Sequence, residues 1–119
     1  MAETESKALG EERRRSRRIP FSLAVYAMSL PPSLSFIERC EIVEVSGHGC
    51  QLLGPRPLPR LTRVRLDRKT RVAITVAQVI RSTPVESMVV KMWRIGLELE
   101  ASGNVWGITQ LPPDWIKRP

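Results

Sequence analysis

The chain has 119 residues, 42% apolar and 26% charged, with a net charge of +7 and an isoelectric point near 10.4, which bounds it to one domain of ordinary size with a preference for anionic partners. Nothing in it approaches the ~20 continuous apolar residues that cross a bilayer as a helix. The polar opening Met1-Ala2-Glu3-Thr4-Glu5-Ser6 lacks the apolar segment of a secretory signal, so the expectation is a soluble cytoplasmic protein with no membrane insertion.

Residues 1–12 are rich in charge and poor in apolar side chains, which predicts a disordered leader and places the folded domain at 13–119. The domain opens on the arm Arg13-Arg14-Arg15-Ser16-Arg17-Arg18. Residues 1–18 carry six basic and four acidic side chains, so the arm is locally basic but acid-flanked, unlike the long polybasic tails that coat nucleic acid.

From residue 21 to 28 the apolar side chains alternate, with Phe21, Leu23, Val25 and Ala27 on one face, as in a half-buried strand. Leu30-Pro31-Pro32-Ser33 ends it, because proline cannot donate to a ladder. A second strand is expected over 37–43, a tight turn around Gly47 and Gly49, and a returning strand over 50–53. The composition of Gly54-Pro55-Arg56-Pro57-Leu58-Pro59 predicts a loop. Strict alternation over 62–66 and the β-branched run over 72–80 predict two more strands, with Ser82-Thr83-Pro84 as the connection to a last strand over 88–100. That last strand carries Trp93, Ile95, Leu97 and Leu99 on one face. Six short strands without helical periodicity predict an all-β fold, a six-stranded antiparallel sheet closed into a barrel. The tail from Asn104 to Trp115 offers a cap at Asn104 and at most a short helical turn before Pro112-Pro113.

The two cysteines, Cys40 and Cys50, lack the paired spacing of a zinc site, and with a single histidine no metal is expected. A disulfide between them would require their segments to pair. In a reducing compartment the expectation is two half-buried free thiols. His48 has no nucleophile or carboxylate pattern around it and reads as an exposed turn residue, and no catalytic residue is assigned. Trp106 and Trp115 are expected to cover one barrel opening, with a protein contact as the alternative. Arg81, Lys91 and Arg94 read as solvent-facing members of alternating strands, with an extended anion surface as the other option.

Two pieces carry functional chemistry. In the arm, Arg14 and Arg18 have the spacing R-x-x-x-R, the second abutting Ile19-Pro20. Arg13 and Arg17 satisfy the same spacing, and Arg14/Arg18 is preferred because Arg18 meets the strand start. A guanidinium bonds phosphate through two parallel N–H groups, stays charged and stacks on a planar base. The turn Glu44-Val45-Ser46-Gly47-His48-Gly49 offers a carboxylate acceptor, a hydroxyl, and a glycine past which backbone can pass closely. The pairing of R-x-x-x-R with an acidic residue followed by x-S-x-x-G resembles the PilZ domain, a small β-barrel family that binds the bacterial second messenger cyclic di-GMP. The resemblance runs over most of residues 12–115, through Ile95-Gly96-Leu97-Glu98-Leu99 to Val105-Trp106-Gly107-Ile108. It implies a non-catalytic single-domain sensor whose ligand is cyclic di-GMP, with no further cofactor. Arg14 and Arg18 would hold phosphate and stack on guanine, Glu44 and Ser46 would read a base edge, and Gly49 would give clearance and a backbone contact. The signal would pass to a separate, unidentified protein partner.

The family usually has Asp or Asn where this chain has Glu44, one methylene longer. That departure supports an alternative, a degenerate module that contacts proteins and not the nucleotide. A second alternative is a basic barrel for single-stranded nucleic acid, for which 5% aromatic content is a thin stacking platform, so no specific nucleic-acid partner is expected.

Overall fold

In the computed structural model, which describes residues 17–32, 35–70, 72–86, 89–108 and 115, the alternating segments form six strands. They are β1 (Ile19–Ser29), β2 (Ile37–Val45), β3 (Gly49–Gly54), β4 (Arg63–Arg68), β5 (Ala73–Val85) and β6 (Met92–Leu99). Every pairing is antiparallel, in the order β1-β2-β3-β6-β5-β4, and β4 returns to β1 to close the barrel. Closure pairs both outer strands of the sheet, which removes the edges that would otherwise recruit other chains. The leader and Arg13 to Ser16 lie outside the described residues, and among those described no helix is long and apolar enough to cross a membrane.

The interior follows from period two. Val25 and Ala27 of β1, Ile42 of β2, Leu52 of β3, Val64 and Leu66 of β4, Ala77 and Val79 of β5, and Ile95 of β6 are essentially inaccessible to solvent. Fully burying an aliphatic side chain of the Val, Leu or Ile type stabilises by ~1.5–3 kcal/mol. Cys40 and Cys50 belong to this core as free thiols, more deeply buried than the half-buried expectation. Burial, with the nearby Glu38 charge second, pushes the Cys40 thiol up to about 12. Burial first, then Cys40, raises Cys50 as well.

Among the described residues the register shifts at four places, including β1 between Pro20 and Leu23 and the β4–β5 pairing between Leu66 and Asp67, and two of the shifts matter most for the site. In β2 the register with β3 shifts between Ile42 and Glu44, so Val43 is an extra residue. In β5 the register with β6 shifts between Val79 and Arg81, so Ile80 is extra. One added residue inverts the facing of everything beyond it. Glu44 shares parity with the buried Ile42, and Arg81 with the buried Val79, yet the bulges leave both charged side chains outside the barrel.

β5 also runs further than the expected 72–80, continuing through Ser82-Thr83-Pro84 to Val85. β4 pairs with β5 only as far as Gln78, so beyond it the missing N–H of Pro84 takes no bond from that side, while Pro84 sits opposite Trp93 on the other. Ser82 secures this extension: its hydroxyl accepts from the Leu58 N–H at 3.0 Å and donates to the Leu58 carbonyl at 2.9 Å. β6 accordingly starts at Met92, later than the expected residue 88.

At the end of the barrel where β1 begins and β2 finishes, with Ile19 opposite Val45, the two tail tryptophans are buried. The Trp106 indole N–H donates to the Ser46 carbonyl at 2.9 Å, and that of Trp115 to the Arg17 carbonyl. Both indoles thus pin the same barrel end, as expected. Asn104 closes a local turn through its amide, accepting from the Ile108 N–H at 3.1 Å and donating to the Ile108 carbonyl at 2.8 Å. Residues 109–114, where the helical turn was expected, lie outside the described residues.

Candidate functional site

The turn between β2 and β3 is built by Ser46. Its hydroxyl accepts from the backbone N–H groups of His48 at 3.3 Å and Gly49 at 3.0 Å and donates to the Gly49 carbonyl at 3.4 Å, while its own N–H donates to the same carbonyl at 2.9 Å. The end of β6 and the segment after it fasten the turn from the other side: Leu99 N–H donates to the His48 carbonyl and Gly103 N–H to the Gly47 carbonyl, at 2.8 and 2.7 Å. With Trp106 on the Ser46 carbonyl, most of the turn's buried backbone groups are satisfied, which fixes its shape. The Ser46 hydroxyl is therefore engaged in the turn and shapes it, where the motif suggested a group directed at a ligand.

Gly49 is explained by strand packing. It pairs with Glu98 of β6, and a Cβ placed on it would lie 2.4 Å from the Leu97 carbonyl oxygen. No side chain fits there. The clearance it supplies lets β3 approach β6.

Beside this turn, on the outer face of the sheet, lies a cleft of about 230 Å³. Arg18, at the foot of β1, lines it together with Glu44, Ser46 and Gly49, so four of the five motif residues converge on one concavity. Arg14, the fifth, lies outside the described residues. His48 also lines the cleft and is half-buried, a correction to the exposed turn residue expected.

The Glu44 carboxylate sits between two guanidinium groups, 3.6 Å from Arg18 and 3.9 Å from Arg94. Arg94 in turn donates from Nε to the Gln51 side-chain oxygen. With all three charged side chains partly exposed, such pairs are worth only ~0–1 kcal/mol each and exchange readily for another anion or cation.

The far wall is formed by Gln51, Ile80, Arg81, Gly96 and Glu98, of which only Arg81 was expected as an optional extension of the anion surface. One signal was present. A lone glycine inside a strand pattern, Gly96, marks a bulge or a close approach, and Gly96 faces the β5 bulge. Lys91 stands away from the cleft, 5.3 Å over the Trp93 ring.

A second hollow of about 490 Å³ lies beside the loop at 54–59. Although larger, it is mainly walled by Phe36, Leu58 and prolines, with one ion pair of 3.3 Å between the exposed Arg56 and Glu38, so the polar groups that fix a ligand converge at the smaller cleft. Comparison with protein-family models, curated proteins and solved structures returned no match.

Proposed function

We propose that this chain binds cyclic di-GMP at the Arg18–Glu44 cleft, without catalysis, as a sensor that signals to a protein partner. One observation carries the reading: Arg18, from before β1, and Glu44, Ser46 and Gly49, from the β2–β3 turn, line one cleft although 26 residues separate Arg18 from Glu44. Arg18 supplies the forked cation for phosphate and the flat face for guanine. Glu44 supplies an acceptor for a guanine edge, on a turn that Ser46 and Trp106 hold rigid. At about 230 Å³ the cleft is smaller than the ~300–1,000 Å³ that encloses most ligands. A dinucleotide held here keeps one face open, and Arg14, assigned by its spacing from Arg18, is its second cation.

Calorimetric titration of the purified chain tests this. Saturable micromolar binding that GMP and cyclic di-AMP do not compete is expected, weakened at least tenfold by Arg18→Ala. No heat at ~1 mM ligand, where ~4 kcal/mol of binding energy registers, rejects it.

A second reading has an observation of its own. Glu44 is already paired with both Arg18 and Arg94, so the anion site is partly filled by the protein's own carboxylate, as suits a module that binds a protein and not the nucleotide. Flat titrations together with a retained protein partner would select it. The nucleic-acid reading is weaker, because no Phe, Tyr or Trp is among the residues lining the cleft to stack a base.

A further inference from the structure

The cleft has a second cationic wall that the motif does not contain. Following the strand registers outward from Glu44, its partner is Gln51, the partner of Gln51 is Gly96, and that of Gly96 is Arg81. These four residues form one row across β2, β3, β6 and β5. At ~4.8 Å per strand the row is ~14 Å long. Arg18 reaches in from the Glu44 end and Arg81 stands at the other.

Three independent features single out Arg81 from an ordinary surface arginine. The Ile80 bulge turns it outward onto the cleft, where strict alternation would have sent it toward the core. Gly96 leaves the space beside it empty: a Cβ there would meet only the Arg81 Cγ, at 4.0 Å, so the strand directly beside Arg81 is bare backbone. And the Arg81 guanidinium has no hydrogen bond or ion pair among the described residues, whereas Arg18 is paired with Glu44 and Arg94 with Glu44 and Gln51. A desolvated or partly desolvated anion placed over Gly96 would meet its full donor set.

We propose that Arg81 is a ligand-binding residue that takes a phosphoryl group lying over Gly96, and that it gives the cleft its preference for ligands with two phosphoryl groups, one toward Arg18 and one toward Arg81. This rests on the cyclic di-GMP reading for the identity of the ligand and on the row geometry for the role of Arg81.

The test is calorimetry with cyclic di-GMP on the wild type, Arg81→Ala, Arg81→Lys and, as a matched loss of charge outside the cleft, Arg39→Ala. Arg81→Ala should bind roughly 10- to 100-fold more weakly, the value of hydrogen bonds to a charged group. Arg81→Lys should fall between, since it keeps the charge and loses the fork. Arg39→Ala should stay within about twofold of wild type. Wild-type affinity in Arg81→Ala, or an equal loss in Arg39→Ala, overturns the assignment while leaving the cyclic di-GMP reading intact. If the wild type shows no binding of cyclic di-GMP, that reading fails and inorganic pyrophosphate decides the role of Arg81. A saturable shift of the Arg81 Nε–Hε resonance supports it, and no shift at ~10 mM, where under ~3 kcal/mol registers, overturns it.

Discussion

Gly49→Ala separates a glycine needed for folding from a glycine needed for a ligand. The backbone at Gly49 is ordinary strand, so alanine incurs no conformational penalty there, and its whole effect comes from contact. The new methyl would lie 2.4 Å from the Leu97 carbonyl oxygen, and the obstacle is main chain, which no rotamer change removes. To reach even the shortest tolerable separation, β3 and β6 must part by ~0.6 Å at a pair that also holds the Leu99 N–H on His48 and the Ser46 N–H on Gly49. Overpacking of this kind costs ~1–3 kcal/mol, which for a domain of this size lowers Tm by ~4–8 °C per kcal/mol. Gly96→Ala is the control: its methyl meets only the Arg81 Cγ at 4.0 Å, and stability should stay within ~0.5 kcal/mol of wild type. Urea denaturation of the three proteins decides. Equal stability of Gly49→Ala and wild type would refute the packing account and return Gly49 to the ligand.

Three further outcomes are expected. Trp106→Phe removes the only indole on the Ser46 carbonyl and should cost ~1–3 kcal/mol in denaturant unfolding, because a buried acceptor loses its partner; a loss under ~0.5 kcal/mol would mean that the indole does not secure the turn. Glu44→Asp withdraws the carboxylate from Arg18 and Arg94 and should tighten cyclic di-GMP up to about fivefold by calorimetry, the value of a partly exposed pair; unchanged or weaker binding would show a cleft adapted to Glu. The buried thiols set an alkaline limit. Their folded values lie above the ordinary 9.0, so their contribution is fully present below pH 9.0 and is lost as pH rises toward about 12, at up to ~1.4 kcal/mol per unit for each thiol. The slope of the urea midpoint against pH above 9.0 should flatten in Cys40→Ala; an unchanged slope would assign it to other groups.

Much of the barrel was legible because period two is a local property. Val25 and Ala27, Val64 and Leu66, and Ile95, Leu97 and Leu99 show in the sequence the faces they bury in the fold. The motif residues could be named in the same way, since R-x-x-x-R and E-x-S-x-x-G are spacings along the chain. Alternation assumes that no residue is extra, however, and the sequence near Val43 and Ile80 carries no mark of a bulge. Strict alternation carried past the expected strand ends would give Glu44 and Arg81 the parity of core positions, although their charge places them outside, Glu44 in the turn and Arg81 facing solvent. Likewise, Pro84 reads as a strand breaker unless the short reach of β4 is known, because the loss of one N–H matters only where a neighbour would have used it.

What the amino-acid sequence determined by itself was therefore the all-β class, the number of strands, most of the core and the spacing of the motif residues. Each of these depends on interactions within a few residues. What the tertiary structure decided was which strands are neighbours, that β3 lies against β6, and through that one pairing much of what is particular to the cleft. It demands glycine at position 49, sets Gly96 beside Gln51, and brings Arg94 of β6 toward the Glu44 carboxylate, while the β1–β2 pairing supplies Arg18 and the β5–β6 pairing supplies Arg81. These contacts join residues that are distant along the chain and are made by closing a barrel, and a closed sheet fixes register globally because every strand must fit two neighbours at once.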